Sequence, residues 1–228
     1  HAILHFLALA VAFGEPPASR DPELLVPEAT GREALALMRA LHARRVRAAD
    51  GKNPIAILDA MAGGAEIALC PLIYGYVPYA RAEAGRQPLR FTDAPVTATG
   101  GRPGSVLGGT GIAISIRCTP PPALIAHLEW LMSPETQADF IPSEAGQPGL
   151  RSAWEDDGVN RAWGGFYRAI ARTLDSAWVR PRHPGWIAFQ TEASALLRDA
   201  LESGAPDAAV LGRLQDRYAV SRAGGEEI

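Results

Sequence analysis

Residues 106–118, VLGGTGIAISIRC, constrain the fold of this chain more than any other stretch. Ile112, Ile114 and Ile116 alternate with Ala113, Ser115 and Arg117, the period of a strand with one apolar face. Glycines at 108, 109 and 111 precede the alternation, and prolines at 120, 121 and 122 end it. Two shorter apolar runs between turn signals, AEIALCPLI (65–73) and LRFTDAPV (89–96), also read as strands. Helical patterns precede and follow these strands, so the expected class is a helix-rich mixed α/β fold whose strands pair partly in parallel.

The helices are read from spacing and punctuation. Residues 2–13 form an apolar helix stopped by Gly14 and Pro16-Pro17. GREALALMRALHARR carries Ala34, Leu37, Met38 and Leu41 at helical spacing. Asn53 is a natural N-cap with Pro54 at the first helical position, and Gly63-Gly64 closes that helix. PPALIAHLEWLMS sets Leu124, Ile125, Leu128, Leu131 and Met132 on one face, and Ser133, Pro134 and Gln137 open the next helix in capping-box fashion. Trp186, Phe189, Ala193, Leu196, Leu197 and Ala200 define a long amphipathic helix. Val210, Leu211, Leu214 and Tyr218 define the last one, before a frayed SRAGGEEI tail.

Composition removes several function classes. A net charge of −3 and a pI near 6.0 leave no basic surface for nucleic acid. The apolar start lacks the basic flank of a secretion signal and is too short to span a bilayer. Its uncapped opening suggests that the chain begins inside a longer ancestral domain. Cys70 and Cys118 fit no metal spacing and, lying in apolar runs, are expected as buried free thiols. His1 and His5 stand four apart, but no third ligand accompanies them. LGGTGIA lacks the following helix that a dinucleotide loop needs, because strand alternation and prolines come next. Glu155, Asp156 and Asp157 read as a solvated turn, and neither His127 nor His183 has a visible nucleophile beside it. Nothing here identifies an enzyme, a metal or a cofactor.

Taken in order, GGAEIALCPLIYGY, VLGGTGIAISIRC, LIAHLEWLMSPETQADFI, EAGQPGLRSAW, RPRHPGWIAFQ and the closing helices resemble the second half of extracellular solute-binding proteins of ABC importers, the family-one type that captures sugars. The resemblance covers nearly all of the chain. It implies a periplasmic-binding-protein-like (type II) fold with a ligand cleft between two lobes. Residues 1–98 then belong to the second lobe, 99–145 return to the first, and 146–228 close the second. It also implies a periplasmic or extracellular location, membrane permease subunits as partners and no insertion of this chain into the membrane. The family's N-terminal portion has no counterpart here. On that reading residues 103–145 lack their sheet partners, and exposed apolar surface there predicts association.

A sugar presents hydroxyls and apolar C–H faces, so its site combines aromatic platforms with converging polar groups. The candidates are Tyr74, Gly75 and Tyr76 at the end of the first strand, Gly109 and Thr110 in the glycine run, and Gln147 and Arg151 in the loop after the Ser133 helix. Each has an ordinary alternative. These are internal packing of the tyrosines as a pair, a bulge marked by the glycines, and an ion pair between Arg151 and Glu155 four residues on. Trp154 stands between pocket wall and turn cap, and Arg180 and Arg182 between ligand and helix entry. Two other functions stay open: a small hydrolase or transferase with a cleft acid, and a truncated scaffold that binds nothing.

Overall fold

The computed structural model describes residues 2–224. His1 of the histidine pair and residues 225–228 of the expected frayed tail lie outside the described residues. Eleven α-helices account for most of the regular structure: α1 (Ala2–Ala12), α2 (Glu28–Ala43), α3 (Pro54–Ala62), α4 (Pro122–Leu131), α5 (Ile141–Ser143), α6 (Arg151–Glu155), α7 (Asp157–Ala162), α8 (Phe166–Ala169), α9 (Ala171–Ser176), α10 (Trp186–Ser203) and α11 (Asp207–Ala223). The chain is 53% helical and only 2% strand, so it is helix-rich, and the expected sheet is not formed among the described residues.

The chain divides into two compact units. One comprises the residues up to Asp50, Ala94–Leu107 and the residues from Arg172 onward; the other comprises Gly51–Asp93 and Gly108–Ala171.

In the first unit, α1 packs on α2 and α10, while α11 covers α10 and α2. Nine of the eleven residues of α1 are buried, led by Ile3, Phe6, Leu7 and Val11. Burying a side chain of that size contributes roughly 1.5–3 kcal/mol, so α1 is the hydrophobic axis of the unit. The face expected for α10 is the buried one, from Trp186 to Ala200. The α2 face is turned from expectation: Leu35 is buried, whereas Leu37 and Leu41 are exposed. Polar ties complete the frame. Arg39 of α2 pairs with Asp207 at 3.0 Å and donates to the Ala200 carbonyl at 3.0 Å, neutralising the C-terminal end of α10. The Tyr218 hydroxyl donates to the Pro22 carbonyl at 2.8 Å, and Gln215 Nε2 donates to that of Glu23 at 2.7 Å, pinning the loop before α2 onto α11.

In the second unit, the expected cap of α3 is present: Asn53 Oδ1 accepts the Ala56 N–H at 2.9 Å. The core is aromatic, with Trp163, Phe166 and Tyr167 buried alongside Val77 and Val159. Phe91 meets Phe166 edge-on at 4.9 Å between centroids. That contact is the role of the 89–96 run, which packs as irregular chain instead of pairing as a strand.

The other two expected strands fail for separate reasons. In residues 65–73, Leu72 adopts a left-handed φ of 57°, which no strand tolerates, and Leu69 is 75% exposed. In residues 106–118, only Val106 pairs, through one parallel bridge to Trp178. Leu107 N–H donates to the Trp178 carbonyl at 2.8 Å, and Trp178 N–H to that of Ser105 at 2.9 Å. Beyond that bridge the isoleucines face water, because nothing among the described residues supplies a neighbouring strand. The apolar face expected of α4 is likewise uncovered, for α4 has no buried residue. Cys118 is exposed on the same stretch, contrary to the expectation of two buried thiols; Cys70 is half-buried, and both are free.

Candidate functional site

All seven candidate residues belong to the second unit. The turn after Cys70 carries Tyr74, Gly75 and Tyr76 into a short 3₁₀ segment, Val77–Ala80. Tyr76 is half-buried against the cluster of Leu58, Ala62 and Tyr79. Gly75 is pressed onto the core, since a Cβ there would lie 3.0 Å from the Phe166 ring. The Tyr74 ring lies over Gly108, where a Cβ would come within 2.8 Å of it. Gly108 is therefore glycine to admit an aromatic ring. Its neighbours Gly109 and Thr110 are exposed.

Tyr79 anchors this turn to α3. Its hydroxyl donates to Asp59 Oδ1 at 2.8 Å, and Arg86 donates to the same oxygen at 2.9 Å. Burial, followed by the Asp59 hydrogen bond, raises the Tyr79 pKa above the usual phenol value.

The loop EAGQPGLRSAW, residues 144–154, is held at almost every step. Gly146 N–H donates to the Ile141 carbonyl at 2.8 Å, and the Gly146 carbonyl accepts the Tyr167 hydroxyl at 3.3 Å. Trp154 Nε1 donates to the Pro148 carbonyl at 2.8 Å, while its ring meets Tyr167 edge-on at 5.0 Å. Trp154 thus caps the loop from within. Gln137 Oε1 accepts the Gly149 and Leu150 N–H groups at 2.6 and 3.2 Å, and its Nε2 donates to the Leu131 carbonyl at 2.7 Å. Capping geometry alone suggested a helix-start role for Gln137. Ser133 does fill that role, accepting the Thr136 N–H at 3.3 Å, and this leaves Gln137 to reach the loop.

One contact links two of the predicted stretches. Gln147 Oε1 accepts the Val77 N–H at 3.2 Å across 70 residues of sequence, setting the Gln-Pro loop against the tyrosine turn. Arg151 lies 3.7 Å from Glu155 on α6, with both side chains exposed, in the geometry of the ordinary alternative. Arg180 donates to Gln190 of α10 at 2.9 Å, which fixes the approach to that helix.

Sequence reading missed the supports of this arrangement. Asn160 is buried and fully engaged, donating to the Trp154 and Asp156 carbonyls at 2.7 and 2.8 Å and accepting the Arg168 N–H at 3.0 Å. Trp163 donates to the Pro142 carbonyl at 3.1 Å and carries the Arg81 guanidinium 4.4 Å from its ring centroid. The only signal for either was a polar or aromatic residue amid small ones.

A serine–histidine contact exists in the first unit: His183 Nε2 lies 3.0 Å from Ser221 Oγ. The hydroxyl of Ser221 donates to the Tyr218 carbonyl at 2.7 Å, so its proton is directed at the backbone and His183 is the donor. This is how a loop is fastened to α11, not how a nucleophile is activated. Burial, with Arg222 nearby, lowers the His183 pKa. Among the described residues no cluster of three His, Cys, Asp or Glu side chains is placed to hold a metal, and no helix is long and apolar enough to cross a membrane. No family model, curated protein or solved structure matches the chain.

Proposed function

We propose that the chain is a substrate-binding component of an ABC importer, which captures a carbohydrate or related polyol and presents it to membrane permease subunits outside the cytoplasm. The motif order supports the reading, and one observation carries it: the Gln147–Val77 hydrogen bond joins two of the predicted binding stretches within one unit. In this reading Tyr74 and Tyr76 offer ring faces to the sugar, Gly109 and Thr110 offer backbone and hydroxyl groups, and Gln147 and Arg151 supply polar contacts. The helices belong to a type II periplasmic-binding-protein-like fold whose sheet is not formed by the described residues. Catalysis has no part in this role.

Calorimetric titration with a panel of monosaccharides, oligosaccharides and polyols tests it. One ligand gives heat with the native chain, and Tyr76→Ala and Gln147→Ala each weaken it at least tenfold while the helical circular dichroism persists. A folded chain that gives no heat with any of them refutes the proposal. The second reading is a scaffold without ligand. It is favoured by the exposed residues after Val106, which find no sheet partner among the described residues.

A further inference from the structure

Every residue from Leu107 to Ala123 is exposed. Among the described residues, no backbone group from Gly108 to Ile114 makes a backbone hydrogen bond. A stretch with strand alternation and idle donors and acceptors is an open template for strand pairing. Its glycines point the same way. Gly109 and Gly111 have no left-handed φ, and a Cβ at either would meet nothing within 4 Å. The fold sets nothing against either glycine, and both leave room for another backbone to approach closely.

We propose that this segment pairs with its own copy, antiparallel about Ala113, to make a closed two-fold dimer. Two properties of the segment favour a second copy. The first is charge. From Leu107 to Leu128 the only charged side chain is Arg117, so the surface suits a neutral apolar partner. In the proposed register Ile112 faces Ile114 of the second copy, and Arg117 falls opposite Gly109, so like charges never meet. The second is area. Ile112, Ile114 and Ile116 are 73%, 39% and 101% exposed, and Ile125, Trp130 and Met132 on and beside α4 are 38%, 43% and 57% exposed. At about 200 Å² for a residue of this size, two copies offer roughly 1,400 Å², within the range of a stable interface. A two-fold axis pairs one edge of each copy with the same edge of the other, an isologous contact that closes at two copies. This goes beyond the sugar-binding proposal and is tested separately from it; because both draw on the backbone at Gly109 and Thr110, a paired segment would leave the sugar to Tyr74, Tyr76, Gln147 and Arg151.

Sedimentation velocity on the 228-residue chain at tens of micromolar tests the idea. The expected mass is twice that of the 24.2 kDa chain. Ile112→Lys combined with Ile114→Lys halves it without loss of helical signal, because both residues are exposed and lie outside every helix. In a background where Cys70 and Cys118 are serine, Ala113→Cys forms an intermolecular disulfide under mild oxidation, since directly opposed strand positions lie within disulfide reach. Gly109→Cys in the same background does not. A monomer at every concentration, an aggregate growing without limit, a dimer that survives the lysine pair, or a dimer that Ala113→Cys fails to cross-link overturns the proposal. A monomer would assign the segment to a different polypeptide.

Discussion

Gln137 offers the sharpest test of how the Gln-Pro loop is held. Its side chain is 4% exposed and makes three hydrogen bonds, to Leu131, Gly149 and Leu150. At about 1 kcal/mol net for each bond, the three contribute about 3 kcal/mol. Gly149 is exposed and Leu150 half-buried, so water recovers part of what their N–H groups would lose. The expected cost of Gln137→Met, which keeps the length of the side chain without its polar atoms, is therefore about 2–3 kcal/mol. For a chain of this size that lowers Tm by roughly 4–12 °C. Gln137→Ala adds a cavity and costs more. Denaturant unfolding followed by tryptophan fluorescence measures both, with amide exchange at Gly149 and Leu150 as a local readout. A Gln137→Met chain within about 0.5 kcal/mol of the native one, with those amides still protected, would falsify the claim that this side chain holds the loop.

Trp163→Ala, which removes the centre of the second unit's aromatic core, is expected to cost about 3–5 kcal/mol in the same assay, and Trp163→Phe about 1–2 kcal/mol for the lost bond to Pro142. Gly185→Ala puts a Cβ 2.1 Å from the Ser221 carbonyl oxygen and is expected to cost about 1–3 kcal/mol, read as a fall in Tm. Gly212→Ala, in open space on α11, should instead stabilise by about 0.5–1 kcal/mol. The lowered His183 pKa sets a pH dependence: between the folded value and the unfolded value near 6.5, the unfolded chain binds the extra proton. Stability from this residue is complete above about pH 6.5 and declines as pH falls through that window. His183→Gln should flatten that part of a Tm-against-pH curve; an unchanged slope refutes the assignment.

Much of the helical frame was legible in the residues alone. A helix satisfies its own backbone, so its place follows from local spacing and caps. Asn53-Pro54 begins α3 as expected, and the Trp186–Ala200 face of α10 is the buried one. The convergence of Gln147 on Val77 was not legible, because no local pattern states which loop meets which turn. The supporting roles of Gln137 and Asn160 were not legible, since each depends on carbonyls and N–H groups delivered by separate elements.

Strands differ from helices in that their backbone groups and one face must be completed by another segment. The alternation at Ile112, Ile114 and Ile116 therefore established a propensity without establishing a sheet. Tertiary structure decided the outcome. It supplied Trp178 to Val106, an aromatic ring to Gly108 and no neighbouring strand to the isoleucines among the described residues. What the sequence determined was where the chain coils upon itself and which loop side chains are equipped to grip. What only the fold decided was which of those side chains meet, and which apolar face is left in water, because both depend on contacts between residues far apart in the chain.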